Sequence, residues 1–258
     1  MATKTKPTET PVPAQVSEQE IMIVAAKHSR ETLQQFRLWI VGDTPLITHA
    51  WSEKAKRQML EKQEGKTKKG REAKIPENDF LESLYPMGEK GAYGFPAMGL
   101  KNAIVSAAHK DKNIPKTLAQ SSLFIHGDMT RLMPGKAGAI CDMPLVRIWA
   151  GAPEMREDMV KIGSGLNKVA NLSYRGQFTF WAMEIRGNFN PYILNQDKLA
   201  RIISDAGIES GLGEWRNEKR GIFGSFHIAT PEEAHEWKQF SRGEGPLPTP
   251  YELLEAAE

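Results

Sequence analysis

The sequence predicts an α+β fold built on an antiparallel sheet, and three observations predict it. Short runs of alternating apolar residues recur between turn residues, two longer stretches carry apolar residues at helical spacing, and the two kinds follow one another in a definite order. With 258 residues, 40% of them hydrophobic, the chain is long enough to bury a sizeable core.

The first 20 residues are rich in Thr, Pro, Glu and Lys and too poor in large apolar side chains to repay ordering, so residues 1–31 are expected to form a flexible arm and lead-in. A strand is expected over Leu33 to Val41, with Phe36, Leu38 and Ile40 on one face, Arg37 on the other and Trp39 making it two-sided. Gly42, Asp43 and Pro45 end it. Residues 50–64 read as a helix with a stripe of Trp51, Ala55, Met59 and Leu60. Gly65 to Arg71 has no apolar residue, and Ser52 to Ile75 holds nine Lys/Arg against four Asp/Glu, the pattern of a solvated loop or a basic flap.

Pro96 suits the first turn of a helix, where its missing N–H is not needed, and that helix runs to Lys110 with a core face of Leu100, Ile104, Ala107 and Ala108. Further strands are expected at Ser122 to His126, Leu145 to Trp149 and, as one long run, Gly176 to Gly187. A second amphipathic helix covers residues 196–209 through Leu199, Ile202, Ile203 and Ala206. After it come a glycine-rich loop, Gly211 to Gly224, and a strand, Ile222 to Ile228.

Without its insertions the order is strand, helix, strand, strand, helix, strand. This is the split βαβ pattern of a ferredoxin-like (RRM-like) antiparallel sheet with both helices on one face. The expected domain spans 32–229, with large insertions at 42–95 and 128–172, the second long enough for a projecting hairpin; residues 230–258 form an acidic tail.

The net charge of +2 conceals a division: residues 231–258 carry −5, residues 1–20 carry −1, and the body between them carries +8. A moderately basic body is compatible with phosphate binding and is shared by many proteins that bind no anion. The chain has no apolar run of membrane-spanning length and no signal-peptide pattern, so a cytoplasmic protein that does not enter a membrane is expected. Cys141 is alone and reads as a packing residue. No cluster has zinc-ligand spacing, Gly163 to Lys168 fails the phosphate-loop spacing, and no nucleophile elbow occurs, so no metal or cofactor is expected.

The glycine loop is the richest segment. Its glycines permit close backbone approach, and Arg216, Lys219 and Arg220 stand where a polyanion would be held; the alternative is a helix cap followed by solvated cations.

Four features together resemble the RAMP superfamily of CRISPR-associated RNA-binding proteins, most closely the backbone subunits that coat guide RNA. They are the turn Val41 to Ile47, the helix start Pro96-Ala97-Met98-Gly99-Leu100-Lys101-Asn102-Ala103, the glycine loop and the long insertion between strands two and three. Met98 and Asn102 stand where that family commonly has serine and glycine. The resemblance covers residues 32–229.

It implies that single-stranded RNA tracks across Lys101, the glycine loop and basic residues of both insertions. Arg57, Arg131, Arg147, Arg175, Arg216, Lys219 and Arg220 are the candidate phosphate contacts. Trp51 and Trp215 are candidate stacking platforms, with core packing as the alternative. It also implies a head-to-tail homo-oligomer on the strand, with other subunits of a ribonucleoprotein as partners.

Two rivals stand beside this reading. One is a phage or mobile-element protein that binds or anneals single-stranded DNA. The other is a metal-independent endoribonuclease of the same superfamily, for which Asp43 and His49 are the catalytic candidates; a turn aspartate and a structural histidine are their bland alternatives.

Overall fold

The structure is a computed structural model that describes residues 33–51, 53–65, 74–110, 114–131, 142–162 and 169–248. The N-terminal arm, most of the basic run after Gly65, Cys141 and the Gly163 to Lys168 segment lie outside the described residues.

The fold is α+β with antiparallel sheets. Strand β1 (Gln34–Gly42) is central: it pairs on one side with β10 (Phe226–Ile228) and on the other with β9 (Trp181–Phe189). Strand β9 is long enough to hold two further partners on the edge away from β1. Its outer half takes β4 (Leu123–His126) and its inner end takes β6 (Asp142–Ala150). Strands β3 (Tyr93–Pro96) and β5 (Asp128–Arg131) pair with β6, completing seven strands. A second sheet runs β2 (Leu46–Thr48), β8 (Val169–Phe178), β7 (Glu154–Ile162), the last two forming a long hairpin.

Two helices cover one face of the large sheet. Helix α3 (Ala97–Lys110) buries Leu100 and Ile104, and α5 (Gln196–Asp205) buries Leu199, Ile202 and Ile203, against Ile40, Leu123, Met183 and Ile185. This matches the apolar stripes that the sequence shows, because a helix face and a strand face with those periods have no other way to leave water. Asn195 caps α5 by accepting from the Lys198 N–H at 2.8 Å.

The opposite face is also covered. Helix α6 (Pro231–Ser241), inside the acidic segment, seats Trp237 on Trp39 and Ala182, with Phe240 edge-on to Trp237. Its start is a capping box: the Glu233 N–H donates to Thr230 and the Thr230 N–H donates to Glu233.

Four departures from the sequence reading have physical causes. The run Gly176 to Gly187 is two strands, because the chain bends at Thr179–Phe180 and passes from the small sheet to the large one. Pro96 closes β3 and the helix begins at Ala97. The final strand is only Phe226–Ile228, since Ile222 to Ser225 belongs to the folded-back loop. Further elements lie outside the expected order: α2 (Pro76–Glu82) and β3 join the expected helix α1 (Glu53–Gln63) in the first insertion, and α4 (Lys116–Ser122) follows α3.

Trp181 ties the centre together. Its ring is fully buried, its Nε1–H donates to the Thr44 carbonyl at 2.9 Å, and Phe226 meets it edge-on at 6.4 Å. A Cβ at Gly42 would lie 2.1 Å from that Nε1, so only glycine fits. Gly42→Ala is therefore expected to destabilise the fold by about 1–3 kcal/mol, as overpacking does. Chemical denaturation should show this as a lower midpoint at unchanged slope; an unchanged midpoint would mean that Trp181 shifts freely.

Candidate nucleic-acid interface

The glycine loop is held in place by the backbone of the turn after β1. Gly224 N–H donates to the Pro45 carbonyl at 2.9 Å, Glu214 N–H to Ile47 at 3.0 Å, and Asp43 N–H to Ser225 at 3.0 Å. The loop also closes on itself, with Leu212 N–H donating to Gly224 at 2.8 Å and Phe223 N–H to Trp215 at 3.1 Å. Gly224 has φ +70°, and a Cβ there would stand 1.9 Å from the Leu212 carbonyl. The glycine at this position thus permits close approach of the chain to itself rather than to another molecule.

Beside this loop lies a cleft of about 610 Å³. One wall is Pro96 at the end of β3 and α3 through Gly99, Asn102 and Ser106; Lys116 and Gln120 of α4 extend it. The facing wall is the loop itself, through Gly211 to Glu214, Arg216, Glu218 and Lys219, with His49 and Tyr85 at one end. His49, the Pro96 helix start and the glycine loop, each singled out in the sequence, therefore meet in one concavity, while no residue of the turn Val41 to Ile47 lines it.

The charges are organised in pairs. Glu214 accepts from Arg175 Nε at 2.8 Å and holds the Nδ1 of His49 with its other oxygen. Burial opposes the charge on Glu214, but His49 and Arg175 outweigh it and the carboxyl lies below its ordinary range. Burial raises the Tyr85 phenol, and the Glu214 charge adds to it. Glu218 accepts from Arg216 at 2.8 Å and from Ser106 at 2.9 Å, and against burial these contacts also lower its pKa. Arg216 further donates to the Gly213 carbonyl at 3.1 Å, so its guanidinium braces the loop.

Of the candidate residues, His49, Arg216 and Lys219 line the cleft, and Arg175 stands behind Glu214. Arg220, with left-handed φ of 65°, is exposed on the same loop and has no ion pair among the described residues. Trp215, also left-handed at φ 55°, is 42% exposed, and Trp51 is 55% exposed, so neither is a core residue.

The others lie elsewhere. Lys101 sits over the Phe124 ring at 5.2 Å, Arg131 pairs with Asp142 at 3.1 Å, and Arg57 is on α1. Arg147 stacks on Trp149 at 4.1 Å and pairs with Glu89 at 2.8 Å. Asp43 does not line the cleft: it accepts from His227 Nδ1–H at 2.5 Å.

Sequence reasoning passed over Glu214 and Glu218, which sit among the loop's cations, and Lys116 and Gln120 of α4. It also missed Arg156, which stacks on Phe223 at 4.5 Å and joins the β7–β8 hairpin to the loop. The spacing of Arg216 and Glu218 was the available signal for the first pair.

Among the described residues, no group of three or more His, Cys, Asp or Glu is placed to hold a metal ion, and no helix is long and apolar enough to cross a membrane.

No family model and no curated protein matches the sequence. Among solved structures, Cmr6 from Pyrococcus furiosus is similar at a TM-score of 0.35 and 10% identity, over 76% of this chain and 99% of that one.

His227 makes a testable pH contact. Its hydrogen bond to Asp43, opposed by burial and reinforced by Glu233 at 3.1 Å, raises its pKa from 6.5 to about 9. A raised folded-state value means that this contribution to stability is complete below pH 6.5 and is lost as pH rises through about 9. The melting temperature should fall across that interval, and His227→Gln should flatten the fall; an identical profile in the variant would remove the assignment.

Proposed function

We propose that this protein binds single-stranded nucleic acid, RNA ahead of DNA, along the cleft between the glycine loop and α3, as a RAMP-type backbone subunit that coats guide RNA and stacks head to tail along it. The observation that carries this reading is the convergence of the Pro96 helix start, the glycine loop and His49 in one 610 Å³ cleft. The core strand order β10-β1-β9-β4, antiparallel throughout with α3 and α5 on one face, supports a ferredoxin-like core over residues 32–229.

The chemistry suits a flexible strand. Lys116, Lys219 and Arg220 are exposed and form no ion pair among the described residues, although Lys219 lies within electrostatic reach of Glu218. Trp215 on the loop and Trp51, two residues after His49, offer exposed rings for stacking. Base pairing of the bound strand with another strand would supply sequence selection.

Replacing Lys116, Lys219 and Arg220 together by Ala should weaken binding to all sequences and reduce the magnitude of the salt slope by about 2, at roughly 0.7 per single-strand phosphate contact. Unchanged affinity and slope would remove the cleft from the site. The bound material itself decides among classes: protein purified without nuclease should carry RNase-sensitive strands of discrete length. DNase-sensitive material would favour the single-stranded DNA-binding rival.

A second reading has its own observation. Glu214, held by Arg175, fixes the Nδ1 side of His49 at the end of the cleft, the arrangement of an oriented general base. Metal-independent cleavage would then give a 2′,3′-cyclic phosphate and a 5′-hydroxyl, and His49→Ala should abolish it with strand binding retained. No cleavage by the wild type in the presence of chelator would discard this reading.

A further inference from the structure

We infer that the same cleft contains a nucleobase subsite, in which the side-chain amides of Asn102 and Gln120 read the edge of one unstacked base. The inference rests on the single-strand reading and departs from it in one respect: the protein itself would then impose a base preference.

Several of the cleft's polar groups are already paired: His49 with Glu214, and Glu218 with Arg216 and Ser106. Asn102 and Gln120 line the same wall from two helices that pack together, are exposed, and have no side-chain hydrogen-bond partner among the described residues.

A primary amide is the side chain best suited to a base edge, because it offers a donor and an acceptor side by side, as purines and pyrimidines do. Beneath the lining, Phe95 and Leu212 belong to the hydrophobic core, so the floor of the cleft is fixed by packing. Lys116 and Lys219 on opposite walls supply charge for the flanking phosphates. The volume of about 610 Å³ lies in the range of sites that enclose a small molecule, and so is ample for one nucleotide unit. A nucleotide unit is also what a free nucleotide presents, and the two sources are separable by experiment.

The test measures binding of labelled short homopolymers of A, C, G and U to the full chain at several salt concentrations, with wild type and the double variant Asn102→Ala/Gln120→Ala. The wild type should rank the four bases over about tenfold, the discrimination of one good bidentate contact. The double variant should compress that range to about twofold while keeping the salt slope, since no phosphate contact is removed.

Salt-dependent binding with no base ranking in the wild type, or an undiminished ranking in the double variant, overturns the subsite and leaves the single-strand reading intact. Absence of any strand binding at low salt overturns both. Competition by free nucleoside monophosphates that depends on the two amides, without a base ranking among strands, assigns the cleft to soluble nucleotide and overturns the strand subsite.

Circular dichroism melting confirms that the double variant folds. If it does not, the single changes Asn102→Asp and Gln120→Glu, which replace an amide donor by an acceptor, should reorder the ranking, and an unaltered order refutes the assignment.

Discussion

The site depends on a few backbone hydrogen bonds between two segments far apart in the chain. The turn after β1 and the glycine loop exchange main-chain contacts at Pro45, Ile47 and Ser225, so neither can move without unpairing the other. Buried or half-buried backbone groups that lose such partners regain them only by readmitting water. Trp181 secures the turn from beneath through Thr44, and Gly42 is the residue that lets it do so. The cleft is thus a consequence of how the first and last strands of the core are joined.

Both faces of the large sheet are partly occupied, which moves the available concavity to the loop side. Helices α3 and α5 fill one face, while Trp237 of α6 covers Trp39 and Ala182 on the other. His227 fastens that helix back to Asp43, so the aspartate in the first turn serves as an anchor for the C-terminal segment. The β7–β8 hairpin leans on the loop through Arg156 and Phe223, and through Arg175 and Glu214.

Much of the core was legible because it obeys periodicity. Phe36, Leu38 and Ile40 on β1 and the stripes of α3 and α5 are where alternation and helical spacing put them. The break at Thr179–Phe180 was not legible, since the apolar alternation continues through it and only tertiary pairing assigns the two halves to different sheets. Helix α6 was hidden by charge: seven glutamates in residues 231–258 drew attention from Trp237 and Phe240, although Thr230-Pro231 with Glu233 is a helix-start signature. At the site, the cations of the glycine loop were visible and their partners were not, because a carboxylate two residues from an arginine braces the loop only once the backbone has folded back.

Glu214 and Glu218 give the cleft a property that a row of free arginines would lack. They are resident anions, tethered within reach of Arg175 and Arg216 and so present at a high local concentration that no dilution removes. Any incoming anion competes with them for those guanidinium groups. A diffuse or loosely placed negative charge gains little from the exchange, whereas a polymer that meets several cations at once does not depend on any single displacement. The loop thereby carries its own competitor for those two guanidinium groups.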